Sequence, residues 1–196
     1  MTYNPRDRYF HKAKEEGFAA RSVFKLEEID QKFKMFKPGQ VVLDLGASPG
    51  SWSQYASKKA GANGRVLGVD LSPVTVKLPN AVFIQADLRD LKLEDIFNEH
   101  GFVPPFDIVM SDMAPKTTGI RMTDQARSME LCELALDIAR RFLKKDGHFV
   151  CKLFHSDDFS KLREEIKKSF HKVEAVKPDS TRKISKEIFL VGLSKK

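Results

Sequence analysis

Four carboxylates, one lysine and a glycine turn are the residues of this chain most able to do chemistry. The turn is "LGASPG", with glycines at Gly46 and Gly50. Asp70 and Asp87 each close an apolar run, in "RVLGVDL" and "AVFIQAD". Farther on, Asp112 ends "FDIVMSD", Lys152 interrupts the apolar "HFVCKLF", and Glu187 opens "EIFLVGL". The turn lacks the G-x-G-x-x-G spacing that lets a pyrophosphate approach a helix N-terminus, and no Gly-Lys-Ser/Thr follows it, so it carries no phosphate grip. A carboxylate at the end of the second strand can accept both hydroxyls of a ribose, and one at the end of the third can accept from an adenine amino group. Together they describe an adenosine ligand without phosphates, and S-adenosylmethionine is the common cofactor of that kind. The alternative is a tight turn with solvated strand-end acids.

Lysine inside a buried strand is costly unless paired, so Lys152 requires Asp112 and Glu187 nearby whatever its role. A structural ion-pair network would meet the same need. The chemical reading is a base fixed at the ligand end of the sheet, beside the nucleoside pocket. In that reading Lys152 is the base: burial and the nearby charge of Lys25 are expected to lower its proton affinity, while Asp112 and Glu187 raise it but orient the amine.

These residues need a sheet to gather them. Seven runs, at 41–46, 65–71, 81–87, 106–112, 148–154, 171–176 and 187–193, read as strands, and helical stretches are predicted at 51–61, 93–101, 124–147 and 157–170. Near-continuous apolar strands alternating with amphipathic helices predict an α/β fold, a mostly parallel seven-stranded sheet with helices on both faces. The connection "KPDSTRKISK" (177–186) is too short and polar for a crossover helix, so the last strand is expected to be antiparallel. Ahead of the sheet, "SVFKLEEIDQKF" (22–33) is predicted as an amphipathic helix docked on it.

Composition narrows the function classes. The 196 residues, 41% hydrophobic, suit one domain over 1–196 with a basic helical extension at 1–37. No apolar run is long enough to span a membrane, and the start is charged where a secretory signal would be apolar, so a soluble, cytoplasmic protein is expected. Cys132 and Cys151 have no metal-ligand spacing, and the histidines form no cluster, so no metal site is expected. The net charge of +7 is uneven: residues 1–37 hold nine Lys/Arg against six Asp/Glu, residues 38–159 hold 14 against 16, and residues 160–196 hold 11 against five. Two basic ends folded to one side would suit a polyanion, with a solubilising surface as the bland alternative.

The strings "LDLGASPGSWSQYA", "SDMAP", "CKLF", "KPDSTRKISKEIFLVG" and "ARSVFKLEEI" resemble the FtsJ/RrmJ family of ribosomal RNA 2′-O-methyltransferases. The resemblance runs from about Arg21 to Gly192. It implies a Rossmann-like S-adenosylmethionine-dependent methyltransferase fold and methyl transfer to a ribose 2′-hydroxyl by a Lys-Asp-Lys-Glu set. That set falls on Lys25, Asp112, Lys152 and Glu187, with Lys25 positioning the ribose or its phosphate. The implied cofactor contacts are Gly50, Trp52, Asp70, Asp87 and Asp112, to which Asp44, Gly46 and Leu88 are added as candidate lining. Trp52 could equally pack in the core. The implied partner is large-subunit ribosomal RNA, a uridine ribose within the pre-assembled subunit, with a transfer RNA ribose as the runner-up and a non-catalytic RNA-binding module as the other class. Arg6, Arg8, Lys12, Arg21, Arg182 and Lys183 are the candidate RNA contacts at the basic ends. Other methyl transfers leave different marks: Asp112 is followed by Met-Ala-Pro rather than Pro-Pro-aromatic, and neither cysteine follows a proline as a pyrimidine C5 nucleophile would.

Overall fold

The computed structural model describes residues 8–154, 156, 158–182 and 184–196. Its strands are β1 (Val41–Leu45), β2 (Arg65–Asp70), β3 (Ala81–Gln85), β4 (Phe106–Ser111), β5 (Leu143–Phe154), β6 (Phe170–Val176) and β7 (Glu187–Lys195). They form one sheet in the order β3-β2-β1-β4-β5-β7-β6. The pairs among the first five are parallel, and β7 runs antiparallel to both neighbours. This is the Rossmann-like methyltransferase fold with its antiparallel last strand.

Alternation along each strand divides the interior in two. Leu43, Leu45, Val109, Phe149, Cys151 and Leu190 face a core shared with α4 (Leu93–Glu99), α5 (Arg121–Phe142) and α6 (Phe159–Ser169). Val42, Ile108, Met110, Val150, Phe189 and Val191 face the other, covered by α1 (Arg8–Glu15), α2 (Val23–Phe33) and α3 (Ser51–Ala60). The helices therefore cover both faces.

Two boundaries differ from the sequence reading. Helix α5 stops at Phe142 because Leu143 turns to extended dihedrals and pairs with Phe106, so residues 143–147, expected to be helical, belong to β5. Strand β3 stops at Gln85: Ala86 N–H donates to Asp70 O at 2.9 Å and the chain then turns, Asp90 N–H reaching Asp87 O at 3.1 Å. Asp87 therefore lies beyond the strand rather than at its end.

Helix α2, which carries Lys25, is held by a buried acid that sequence patterning left unassigned. Asp30 accepts from the Tyr55 hydroxyl at 2.8 Å and from Phe36 N–H at 3.1 Å, and is only 4% exposed. It ties the C-terminal turn of α2 to α3. Truncating it strands two donors, each costing about 1–3 kcal/mol when buried. Asp30→Ala is expected to lower unfolding free energy by at least about 2 kcal/mol, read by urea denaturation; an unchanged midpoint would assign the anchoring of α2 to apolar contacts alone.

Candidate functional site

The strand order reverses between β1 and β4, and the turns leaving β1, β2, β3 and β4 open there onto a cavity of about 400 Å³. Such a crevice beyond the carboxyl ends is where open α/β sheets hold ligands. Gly46, Asp70, Asp87, Leu88, Asp112 and Lys152, all candidates from the sequence, line it. Met113, Leu131 and Leu134 supply apolar wall. Periodicity placed the two leucines on α5 but could not say that this turn of the helix faces a ligand.

The glycine turn is shaped by close approach. Gly46 has φ 81°, and a Cβ there would sit 2.9 Å from Met113 N, so the β1 and β4 turns touch only because a side chain is missing. Gly50, at φ 115°, is covered by the side chains of Val74 and Val76 and does not line the cavity.

Asp70 is the cavity's best acceptor. Its Oδ2 accepts from Ser48 N–H at 3.0 Å and its Oδ1 from Ser72 N–H at 2.7 Å. Each oxygen is thus fixed by one backbone donor and keeps a lone pair for a ligand hydroxyl. Asp87 is more committed than its sequence suggested: Arg89 grips it through Nε (2.9 Å), Nη2 (2.5 Å) and its backbone N–H (3.0 Å). These hydrogen bonds hold the carboxyl down to about 2, so it stays ionised. Arg89, which sequence reasoning missed, also lines the cavity. Two anionic acceptors, apolar wall and no loop lysine for phosphates fit an adenosine-type group.

Two candidate contacts lie elsewhere. Trp52 is a core residue, 2% exposed, its indole N–H donating to Ser22 O at 2.9 Å and its ring 5.8 Å from that of Phe189. Of the two placements open to Trp52, the side chain takes the core. Asp44, fully buried behind the cavity, accepts from the Ser53 hydroxyl at 2.6 Å through Oδ2, while Oδ1 has no partner. Burial pushes its carboxyl up to about 7, against the Ser53 hydrogen bond, and the charges of Asp112 and Asp70 add to the rise.

The other four residues form two ion pairs. Lys152 Nζ is 2.7 Å from Asp112 Oδ1 and donates to Asp112 O at 2.6 Å. Register explains this, because Ser111 lies opposite Cys151 and Asp112 is therefore carried beside Lys152. Lys25 Nζ is 2.5 Å from Glu187 Oε1. Glu187 faces Phe154 and Phe189 faces Lys152, which sets Glu187 diagonally across from Lys152 on the same sheet face. Of the two carboxylates expected to orient Lys152, Asp112 touches it and Glu187 instead engages Lys25.

The basic ends meet beside this rim. Glu28 on α2 accepts from Asp179 N–H (2.5 Å) and Ser180 N–H (3.0 Å), and Arg21 donates to Ser180 O. Burial and then the Arg182 charge pull Arg21 below its ordinary value, so the two guanidinium groups are close enough to interact. Arg8 lies 4.8 Å from the Tyr9 ring centroid, and Lys12 lies over Phe24 while pairing with Glu16 at 3.6 Å. Arg6 and Lys183 lie outside the described residues. Among the described residues there is no group of side chains suited to a metal ion and no helix long and apolar enough to cross a membrane.

Comparison with known proteins identifies relatives of the whole chain. Residues 18–195 match the family model of FtsJ-like methyltransferases. The chain is 92% identical over 196 residues to "Ribosomal RNA large subunit methyltransferase E" of Bdellovibrio bacteriovorus, covering all of both chains. It is 50% identical to the protein of the same name in Syntrophobacter fumaroxidans, over 98% of each. Among solved structures, a ribosomal RNA methyltransferase from Plasmodium falciparum superposes with a TM-score of 0.75 at 26% identity, covering 91% of this chain and 98% of that one. Aeropyrum pernix fibrillarin, solved with S-adenosyl-L-methionine, shares the fold (TM-score 0.65, 17% identity, 88% of this chain and 76% of that one).

The raised Asp44 carboxyl has a sign that can be checked. Its ordinary value is 3.8, so between about 4 and 7 the folded protein holds a proton that the unfolded chain releases. That contribution to stability is present in full below this window and is lost as pH rises through about 7. Compared with Asp44→Asn, which stays neutral, the parent is expected to lose unfolding free energy across pH 4–7 and then level off. A difference between the two that is flat with pH in paired denaturation curves would refute this.

Proposed function

The chain belongs to the FtsJ-like methyltransferase family and is an S-adenosylmethionine-dependent RNA methyltransferase, and from that premise we propose that it methylates the 2′-hydroxyl of a uridine ribose in large-subunit ribosomal RNA within the assembled subunit, in the cytoplasm. The observation that carries the site assignment is the Lys152–Asp112 pair at the cavity rim with Lys25–Glu187 beside it. The name shared by its close relatives supports the large-subunit target.

In this reading Asp70 holds the cofactor's ribose hydroxyls, and Asp87 and Leu88 border its adenine. S-adenosylmethionine, once bound, supplies an already activated methyl group. What the chain must supply is a more nucleophilic oxygen. Protonated Lys152 offers three donors and no lone pair. The neutral amine carries the lone pair that could take the hydroxyl proton, while one N–H is held by the Asp112 carbonyl and the carboxylate lies alongside at 2.7 Å. Asp112 thus aims Nζ. Lys25, paired with Glu187, presents its ammonium group to the anionic RNA beside the reacting ribose. Holding oxygen and methyl in line contributes much of the remaining acceleration.

Incubating the protein with labelled cofactor and large ribosomal subunits, and in parallel with transfer RNA, then mapping 2′-O-methyl positions, is expected to place the label on a large-subunit uridine. Label on transfer RNA would replace the target, and RNA binding with no label would turn the reading toward a binding module. Lys152→Ala is expected to bind cofactor normally and to lose at least about 10²-fold in single-turnover rate; transfer at the parental rate would remove Lys152 as the base. Asp70→Ala forfeits hydrogen bonds to a charged acceptor, about 1.5–3 kcal/mol each. Calorimetry should then show cofactor binding weakened about tenfold or more, and an unchanged affinity would place the nucleoside elsewhere.

A further inference from the structure

The rim carries a second depression for which methyl transfer has no use. It consists of two adjoining hollows, about 200 and 430 Å³, that share Arg121 and Lys186. Arg121 opens α5, Lys186 directly precedes β7, and Phe154, the last residue of β5, forms a wall. Lys177 adds a third cation, its Nζ donating to Ser185 O at 3.2 Å.

The carboxylates in the walls are committed elsewhere. Asp124 accepts from Thr118 N–H, Thr118 Oγ1 and Gly119 N–H, and Glu187 is paired with Lys25. Among the described residues neither Arg121 nor Lys186 has an ion-pair partner, and both are exposed. Among the described residues the cations of the hollows thus exceed the carboxylates free to pair with them. Beside the cations stands Ile184, 89% exposed, an apolar surface on which a base can lie.

Position selects the occupant. Glu187 belongs to both the second hollow and the catalytic set, so the depression is continuous with the rim. Phe154 lies two residues beyond Lys152 on the same strand face, a separation of about 7 Å, on the scale of one nucleotide step.

We propose that Arg121 and Lys186 hold the phosphates of the RNA strand next to the reacting ribose, as an anchor separate from the one expected of Arg8, Lys12, Arg21 and Arg182. It rests on the reading of the rim as an RNA methylation site and adds a second hold on the strand. Two anchors fix a ribose between them, whereas one leaves the strand free to swing about it.

The test is Arg121→Gln/Lys186→Gln, measured by fluorescence anisotropy with a labelled single-stranded RNA oligonucleotide over a potassium chloride series. RNA affinity should weaken at low salt, and the log–log salt slope should become shallower by about 1.4, about 0.7 for each phosphate no longer neutralised. Cofactor affinity by calorimetry should match the parent, and Arg121→Lys/Lys186→Arg should restore the slope. An unchanged slope with unchanged affinity overturns the proposal, as does loss of binding to an acidic peptide with RNA binding intact. A shallower slope in a protein whose parent methylates no RNA would sustain the groove while rejecting the reaction. Methylation by the parent with an unchanged slope in the variant would reject the groove alone.

Discussion

An ammonium group has to be kept inside a β-sheet. Lys152 is 9% exposed, in a strand whose neighbours Cys151 and Leu153 are fully buried, and a charge in such a place is tolerated only when paired and hydrogen-bonded. The parallel β4–β5 register delivers Asp112 to its side. The antiparallel insertion of β7 then brings Glu187 to the same face, where it holds a second lysine rather than the first. Were β7 parallel, its start would lie at the opposite edge and Lys25 would have no carboxylate. The reversed last strand is therefore a condition for assembling the charged set.

The cofactor end depends on a different constraint, the space between turns. Gly46 lets the β4 turn pass against the β1 turn, and that approach sets Met113 in the cavity wall next to Asp112. Backbone amides of Ser48 and Ser72 fix Asp70 from two sides. Beneath them burial raises the Asp44 carboxyl to about 7, against the hydrogen bond it accepts from Ser53, so that below this pH the interior carries one anion fewer. The acids around the pocket are thus graded by environment: Asp87 stays ionised through its arginine, while burial raises the Asp44 carboxyl to about 7.

All seven strands, the reversed last one and both faces of helices were legible in the sequence, because alternating apolar runs and one short polar connection carry that information directly. The Lys152–Asp112 pair was legible for the same reason, since a lysine in an apolar strand demands a partner. Three things were not. The engagement of Glu187 with Lys25 depends on where α2 lies over the sheet, which no local pattern encodes. The grip of Arg89 on Asp87 depends on a turn that begins two residues before the expected strand end. Trp52 was undecided because an indole suits a ligand wall and a core equally well; its side chain lies in the core, with the Ser22 carbonyl accepting from its N–H.

Glu28 and Lys25 lie on the same side of α2, one turn apart. Glu28 grips the backbone of the 179–180 segment and Lys25 grips Glu187, at the end of the same connection. The polar segment between β6 and β7 is thereby fastened to one helix near both of its ends, like a strap buckled twice. A push on that strap is delivered to the Lys25 ammonium through a single turn of helix and not through a chain of soft contacts. Whatever docks on the strap therefore also sets the position of the lysine.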